Sequence, residues 1–124
     1  MAAFEQTGKD IEPQRVKELL DSGETQLVDV REPYEHEAGH IAGAKHIALE
    51  HLAFRAEEID KSQPVVFHCR LGRRSALATE AFLASGYDAY NMAGGIQAWA
   101  DAGLPLEPDG GQVADHGPSR PLEP

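Results

Sequence analysis

An α/β domain with a central, mostly parallel β-sheet and helices on both faces is the fold class this sequence predicts, and three observations predict it. The runs Gln26-Leu27-Val28-Asp29-Val30 and Pro64-Val65-Val66-Phe67-His68 are short and β-rich, and the second is apolar almost without interruption, as strands buried on both faces are. Helical patterns alternate with them along the chain. The length of 124 residues, 41% apolar and 26% charged, suits one soluble domain with a single core.

The elements follow in order. A first helix is expected over residues 13–20, where Val16, Leu19 and Leu20 share a face and Pro13 sits in the first turn, whose N–H groups have no partner within the helix. Gly23 stops it, and the strand 26–30 follows. A second helix is expected over 49–59, then the strand 64–68, a helix over 75–84 ended by Gly86, and a helix over 96–102 ended by Gly103. The folded domain is placed at residues 10–105. From Leu106 to Pro124, Pro, Gly, Asp and Ser dominate, and this stretch is expected to be a disordered tail.

Composition excludes several function classes. A formal charge of −10 opposes phosphate-backbone binding, so nucleic acid is not an expected partner. The longest apolar runs, such as Val65-Val66-Phe67, fall far below the roughly 18 residues that span a bilayer. Residues 1–10 mix Glu5, Lys9 and Asp10 with polar groups and carry no apolar secretory core, so the cytoplasm is the expected location. The single cysteine, Cys69, has no internal disulfide partner, which leaves reactivity or plain burial as its role.

Cys69 occupies the most informative stretch, Val65-Val66-Phe67-His68-Cys69-Arg70-Leu71-Gly72-Arg73-Arg74-Ser75, where a buried strand runs through a short loop into a helix. The thiol is thus placed at a strand's carboxyl end, the edge where α/β sheets bind ligands. Gly72 lets the loop curl so that its N–H groups turn inward around the sulfur. Arg70, Arg73 and Arg74 place three of the chain's eleven basic residues within six positions. Amides and guanidinium groups favour thiolate over thiol, so Cys69 is expected to be a nucleophile at neutral pH. A structural cysteine buried among apolar groups would need no such arginines.

Cys-x-x-Gly-x-Arg after a strand closely resembles the active-site loop of rhodanese-like single-domain sulfurtransferases. Asp29-Val30-Arg31-Glu32-Pro33-Tyr34-Glu35, with Gly39-His40-Ile41-Ala42-Gly43-Ala44, is similar to the family's first signature. Asn91-Met92-Ala93-Gly94-Gly95-Ile96-Gln97-Ala98-Trp99 resembles the second. The resemblance implies a rhodanese-like fold and a thiosulfate-sulfurtransferase type of activity, in which Cys69 takes sulfane sulfur from a small anionic donor as a persulfide. It further implies that the amides of Arg70, Leu71, Gly72, Arg73 and Arg74 cradle that sulfur, with Arg74 holding the donor and Arg70 and Arg73 assisting at the mouth. No metal or organic cofactor is implied. With no second cysteine, the acceptor must be external: cyanide, glutathione, thioredoxin or another protein thiol. Asp29 and Arg31 are expected to be scaffold, Gly94 and Gly95 turn residues, and Trp99 packing.

Three other signatures compete. A Cys-x5-Arg phosphatase needs arginine at the sixth position after the cysteine, which here is Ser75, with Arg74 one place early. His36-Glu37-Ala38-Gly39-His40 matches HExxH, a zinc pattern on a helix. Pro33, Gly39 and Gly43 oppose a long helix there, and the same residues fall in register with the first signature. A non-catalytic docking module is the third alternative, which an intact cysteine loop opposes.

Overall fold

The computed structural model of the protein describes residues 10–114. Five strands, β1 (Asp10–Ile11), β2 (Gln26–Asp29), β3 (Lys45–His46), β4 (Val65–His68) and β5 (Ala89–Met92), form one sheet in the order β1-β5-β4-β2-β3. Every adjacent pair is parallel. The helices are α1 (Pro13–Asp21), α2 (Pro33–Ala38), α3 (Leu52–Arg55), α4 (Arg73–Ala84) and α5 (Gly95–Asp101).

Strand alternation sends successive side chains to opposite faces, and each face has its own core. Val28, Val65, Phe67 and Ala89 join Leu52, Ala78 and Phe82 on the α3–α4 side. Leu27, Val66, Tyr90 and Met92 join Val16, Ile96 and Trp99 on the α1–α5 side. This is why the β4 run carries no polar alternation: both of its faces are covered, and burying each such side chain contributes about 2 kcal/mol. Among the described residues no helix is long and apolar enough to cross a membrane.

Topology decides where a site can lie. The connection from β2 leads outward to β3, whereas that from β4 leads through α4 the other way to β5. The carboxyl ends of β2 and β4 therefore flank a topological switch point, where the crossovers diverge and leave a crevice. Asp29 ends β2, paired in register with His68, which ends β4.

Two expectations are revised. Instead of one helix over 49–59, the chain forms a 3₁₀ turn at Leu49–His51, the four-residue α3, and a second 3₁₀ turn at Ala56–Glu58. The N–H groups of Ile47 and Leu49 donate to the Asp29 and Val30 carbonyls, so the segment begins tied to the sheet edge. Residues 106–114, expected in a disordered tail, instead pack on the domain. Leu106 and Val113 join the core around Trp99, whose indole N–H donates to the Pro105 carbonyl at 2.8 Å. His40 and Glu107 exchange backbone hydrogen bonds of 2.7 and 2.8 Å. A few apolar anchors and a short antiparallel bridge outweigh the loop-like composition there. Residues 115–124, the rest of the expected tail, lie outside the described residues.

Candidate active site

Cys69 directly follows β4 and is 1% exposed, with its side chain in the α3–α4 core. Burial alone would suit a structural thiol, but donors converge on this sulfur. The Gly72 N–H points at Sγ from 3.1 Å, the Ser75 N–H from 3.4 Å, and the Ser75 hydroxyl oxygen lies 3.3 Å away. Gly72, at φ +108°, makes the turn that brings these amides inward and is the residue before α4. A Cβ would be strained at that angle, so the glycine follows from the curl of the loop.

The loop is held from behind by α5. Ile96 N–H donates to the Cys69 carbonyl at 2.8 Å and Gln97 N–H to the Arg70 carbonyl at 3.1 Å. This contact requires Gly95, because a Cβ there would overlap the Arg70 carbonyl and come within 2.6 Å of the Cys69 carbonyl oxygen. Gly95 is also at φ +66°, so its expected role as a special turn residue holds for two reasons.

The loop arginines divide. Arg74 makes a bidentate pair with Glu35, Nη1 to Oε1 at 2.7 Å and Nη2 to Oε2 at 3.0 Å. The pair occupies one side of its guanidinium, and the Arg74 side chain stays partly exposed. The pairing follows from α2, whose capping box already fixes Glu35 by a hydrogen bond from the Glu32 N–H at 2.8 Å. Burial would raise the Glu35 carboxyl, but the bonds from Arg74 and the Glu32 amide outweigh it and hold the group below the usual carboxylate range. The same pairing raises Arg74, whose charge is also felt at Cys69. Arg73 is exposed on the first turn of α4, and Leu71 is half exposed.

Across the switch point, Asp29 and Arg31 form the expected scaffold, with both side chains fully buried. Asp29 accepts from Arg31 Nε at 2.8 Å, Arg31 Nη2 at 2.7 Å and His36 Nδ1 at 2.9 Å. Arg31 Nη2 also donates to the Gly39 carbonyl at 2.9 Å. Burial alone would raise the Asp29 carboxyl; the His68 ring, the Arg31 and His36 hydrogen bonds and the Arg31 charge together hold it far below its ordinary value. His68, with its Nε2 4.0 Å from Asp29 Oδ2, is pushed down by burial against the pull of that carboxylate, so its ring stays neutral at pH 7 and Arg31 is the counter-charge.

The HExxH residues are arranged otherwise than a zinc helix. The chain leaves α2 at Gly39, and the rings of His36 and His40 stack at 4.1 Å, with His46 stacked on His36 at 4.5 Å. Their Nδ1 atoms bond Asp29 and the His36 carbonyl, and Glu37 is exposed.

Sequence reasoning missed three contributors: Glu35, Ser75 as a sulfur contact, and Asn91. Glu35 and Asn91 stand within the two signatures, and Ser75 carries no local signal beyond occupying the place where a phosphatase arginine would fall. Their pairing across 39 and 16 residues depends on the fold.

Comparison with known proteins agrees with this geometry. The rhodanese-like domain family model matches residues 12–102. The uncharacterized protein YqhL of Bacillus subtilis is 43% identical over 75 residues, 60% of this chain and 60% of that protein, so the match spans less than two thirds of its length. A sulfurtransferase of Allochromatium vinosum is 39% identical over 89 residues, 71% of this chain and 83% of its own. The crystal structure of a rhodanese-related protein from Thermoplasma volcanium superposes with a TM-score of 0.75 at 28% identity, covering 80% of this chain and 97% of that one.

Proposed function

The chain belongs to the rhodanese-like domain family, and on that premise we propose that it is a sulfurtransferase in which Cys69 carries sulfane sulfur as a persulfide. The observation that carries the proposal is the convergence of the Gly72 and Ser75 amides on Sγ, at 3.1 and 3.4 Å. The similar sulfurtransferase of Allochromatium vinosum supports the reaction class.

In the cycle, the Cys69 thiolate attacks the outer sulfur of an anionic donor such as thiosulfate or a polysulfide. The Sγ–S bond forms as the donor's S–S bond breaks, and with thiosulfate the leaving group is sulfite. The persulfide anion takes up the inward N–H groups, which are preorganised for negative charge. An external thiolate or cyanide then attacks the outer sulfur and releases the Cys69 thiolate, leaving as a persulfide or as thiocyanate. Arg73, exposed beside the loop, meets the incoming anion, while Arg74 adds its charge from within the Glu35 pair. The amides of Arg70 and Leu71 line the approach. A lone thiol working by exchange suits a reducing compartment such as the cytoplasm.

A phosphatase reading is weaker on the same geometry. The sixth position after Cys69, where that mechanism needs an arginine, is Ser75, and Arg74, one place early, is paired with Glu35.

The test is intact-mass spectrometry of the reduced protein after thiosulfate, beside a Cys69→Ser variant, followed by cyanide or glutathione. The expected result is a gain of one sulfur atom only where Cys69 is present, removed by the acceptor. No adduct with thiosulfate, polysulfide or mercaptopyruvate would overturn the proposal in favour of a docking module.

A further inference from the structure

The hydroxyl of Ser75 has one proton and two neighbours, Cys69 Sγ at 3.3 Å and Asn91 Oδ1 at 2.5 Å. Which neighbour receives that proton is decided by the orientation of the Asn91 amide. Asn91 lies on β5, in register with Asp10 on β1 and on the face opposite Tyr90 and Met92, so it points to the Cys69 side of the sheet. Its Nδ2 faces the Asp10 Oδ1 at 3.2 Å and the Gly72 carbonyl at 3.4 Å. Both are carboxylate or carbonyl oxygens that only accept, so the NH₂ end must face them. Oδ1 is left toward Ser75, and it too only accepts.

We propose that Asn91 is a positioning residue that aims the Ser75 proton away from Cys69, so that the hydroxyl presents a lone pair to the resting thiol and donates to sulfur only after breaking its bond to Asn91. The inference rests on the sulfurtransferase reading for its place in a cycle, but its geometry is independent of the donor. In the resting state the S–H donates to Ser75 Oγ and the Ser75 O–H to Asn91. When the thiol loses its proton to solvent, the hydroxyl turns and donates to the anionic sulfur. Asn91 thus keeps the hydroxyl proton off the resting thiol.

Other charged and titratable groups surround this sulfur: Arg74 with Glu35 paired to it, Asp10 beyond Asn91, His68 and the Asp29–Arg31 pair past β4, and Arg70 and Arg73 as its neighbours in the loop sequence. None of these is altered when Asn91 and Ser75 alone are changed, so a double-mutant cycle isolates the hydroxyl.

The experiment measures thiolate absorbance against pH for the wild type, Asn91→Ala, Ser75→Ala and the double variant, each corrected with its Cys69→Ser counterpart and checked for native circular dichroism. Asn91→Ala frees the hydroxyl to donate to sulfur throughout. It should raise the thiolate fraction at a fixed acidic pH on the order of tenfold, the effect of one hydrogen bond to a charged acceptor. In the Ser75→Ala background the same substitution should change nothing. A shift that persists without Ser75, or no shift at all, overturns the proposal. Should Asn91→Ala fail to fold, Asn91→Val, which fills the position on β5 but offers the hydroxyl no acceptor, takes its place. The same shift, again abolished by Ser75→Ala, is then expected, and its absence or persistence is equally decisive. Wild-type protein that loads sulfur but shows no such coupling refutes the positioning role alone. Coupling in protein that never loads sulfur refutes the sulfurtransferase reading alone.

Discussion

Replacing Arg74 by Met should destabilise the domain by about 3 kcal/mol at neutral pH, and by progressively less as the solution is acidified. Glu35 is 2% exposed, and Arg74 is the cation that neutralises it through two hydrogen bonds. Breaking a buried pair from one side leaves an uncompensated charge, at about 3–5 kcal/mol. The low end applies because the Arg74 side chain is 34% exposed and the Glu32 N–H still binds Glu35. In the wild type the Glu35 carboxyl is held below its ordinary value, so the stability it confers is present above the carboxylate range and lost as pH falls through its folded value. In the variant, burial without the cation pushes the carboxyl up, so the penalty is full at neutral pH and eases as the group protonates. Urea unfolding followed by Trp99 fluorescence at about pH 7 and about pH 4.5 measures the difference. Glu35→Gln should cost less, about 1–2 kcal/mol, since the partly exposed Arg74 can turn to water. An Arg74→Met penalty unchanged with pH, or smaller than that of Glu35→Gln, would refute the argument.

Gly95→Ala, with Gly103→Ala as its control, and Asp29→Asn probe the glycine contact behind the loop and the buried ion pair beside it. Gly95→Ala puts a methyl group onto the Arg70 and Cys69 carbonyls at φ +66° and should cost more than about 2 kcal/mol while sharply lowering sulfur loading. Gly103→Ala, at φ +79° with open space around it, should cost only about 1 kcal/mol and leave loading intact; thermal melts and the mass assay compare them. Asp29→Asn strands the buried Arg31 cation and should cost about 3–5 kcal/mol at neutral pH. Asp29 is held far below its ordinary value in the fold, so the wild type loses this stabilisation on acidification and the variant does not. Their urea midpoints should converge at low pH.

Much of the architecture was legible locally. The unbroken Val65-Val66-Phe67 run announced a strand covered on both faces, and β4 lies between the two cores. Pro13 marked the start of α1, and the glycines after α1, α4 and α5 marked their ends within about a residue. The short strands β1, β3 and β5 leave no local signal, because two to four residues carry too little periodicity to separate a strand from a loop. Residues 106–114 misled for the converse reason: composition counts residues, whereas Leu106 and Val113 act by finding the surface beside Trp99.

Local sequence alone placed the cysteine and its setting: a thiol after a buried strand, before a helix and beside a glycine that lets amides turn inward. These are nearest-neighbour properties, carried by residues a few positions apart. Tertiary structure alone decided how the surrounding polar groups are shared. It gave Arg74 to Glu35, 39 residues away, and the Ser75 proton to Asn91, itself oriented by Asp10, 81 residues away. A hydrogen-bonding group serves whichever partner the fold brings within about 3 Å, and that choice is made by strand order and register, which no local pattern encodes.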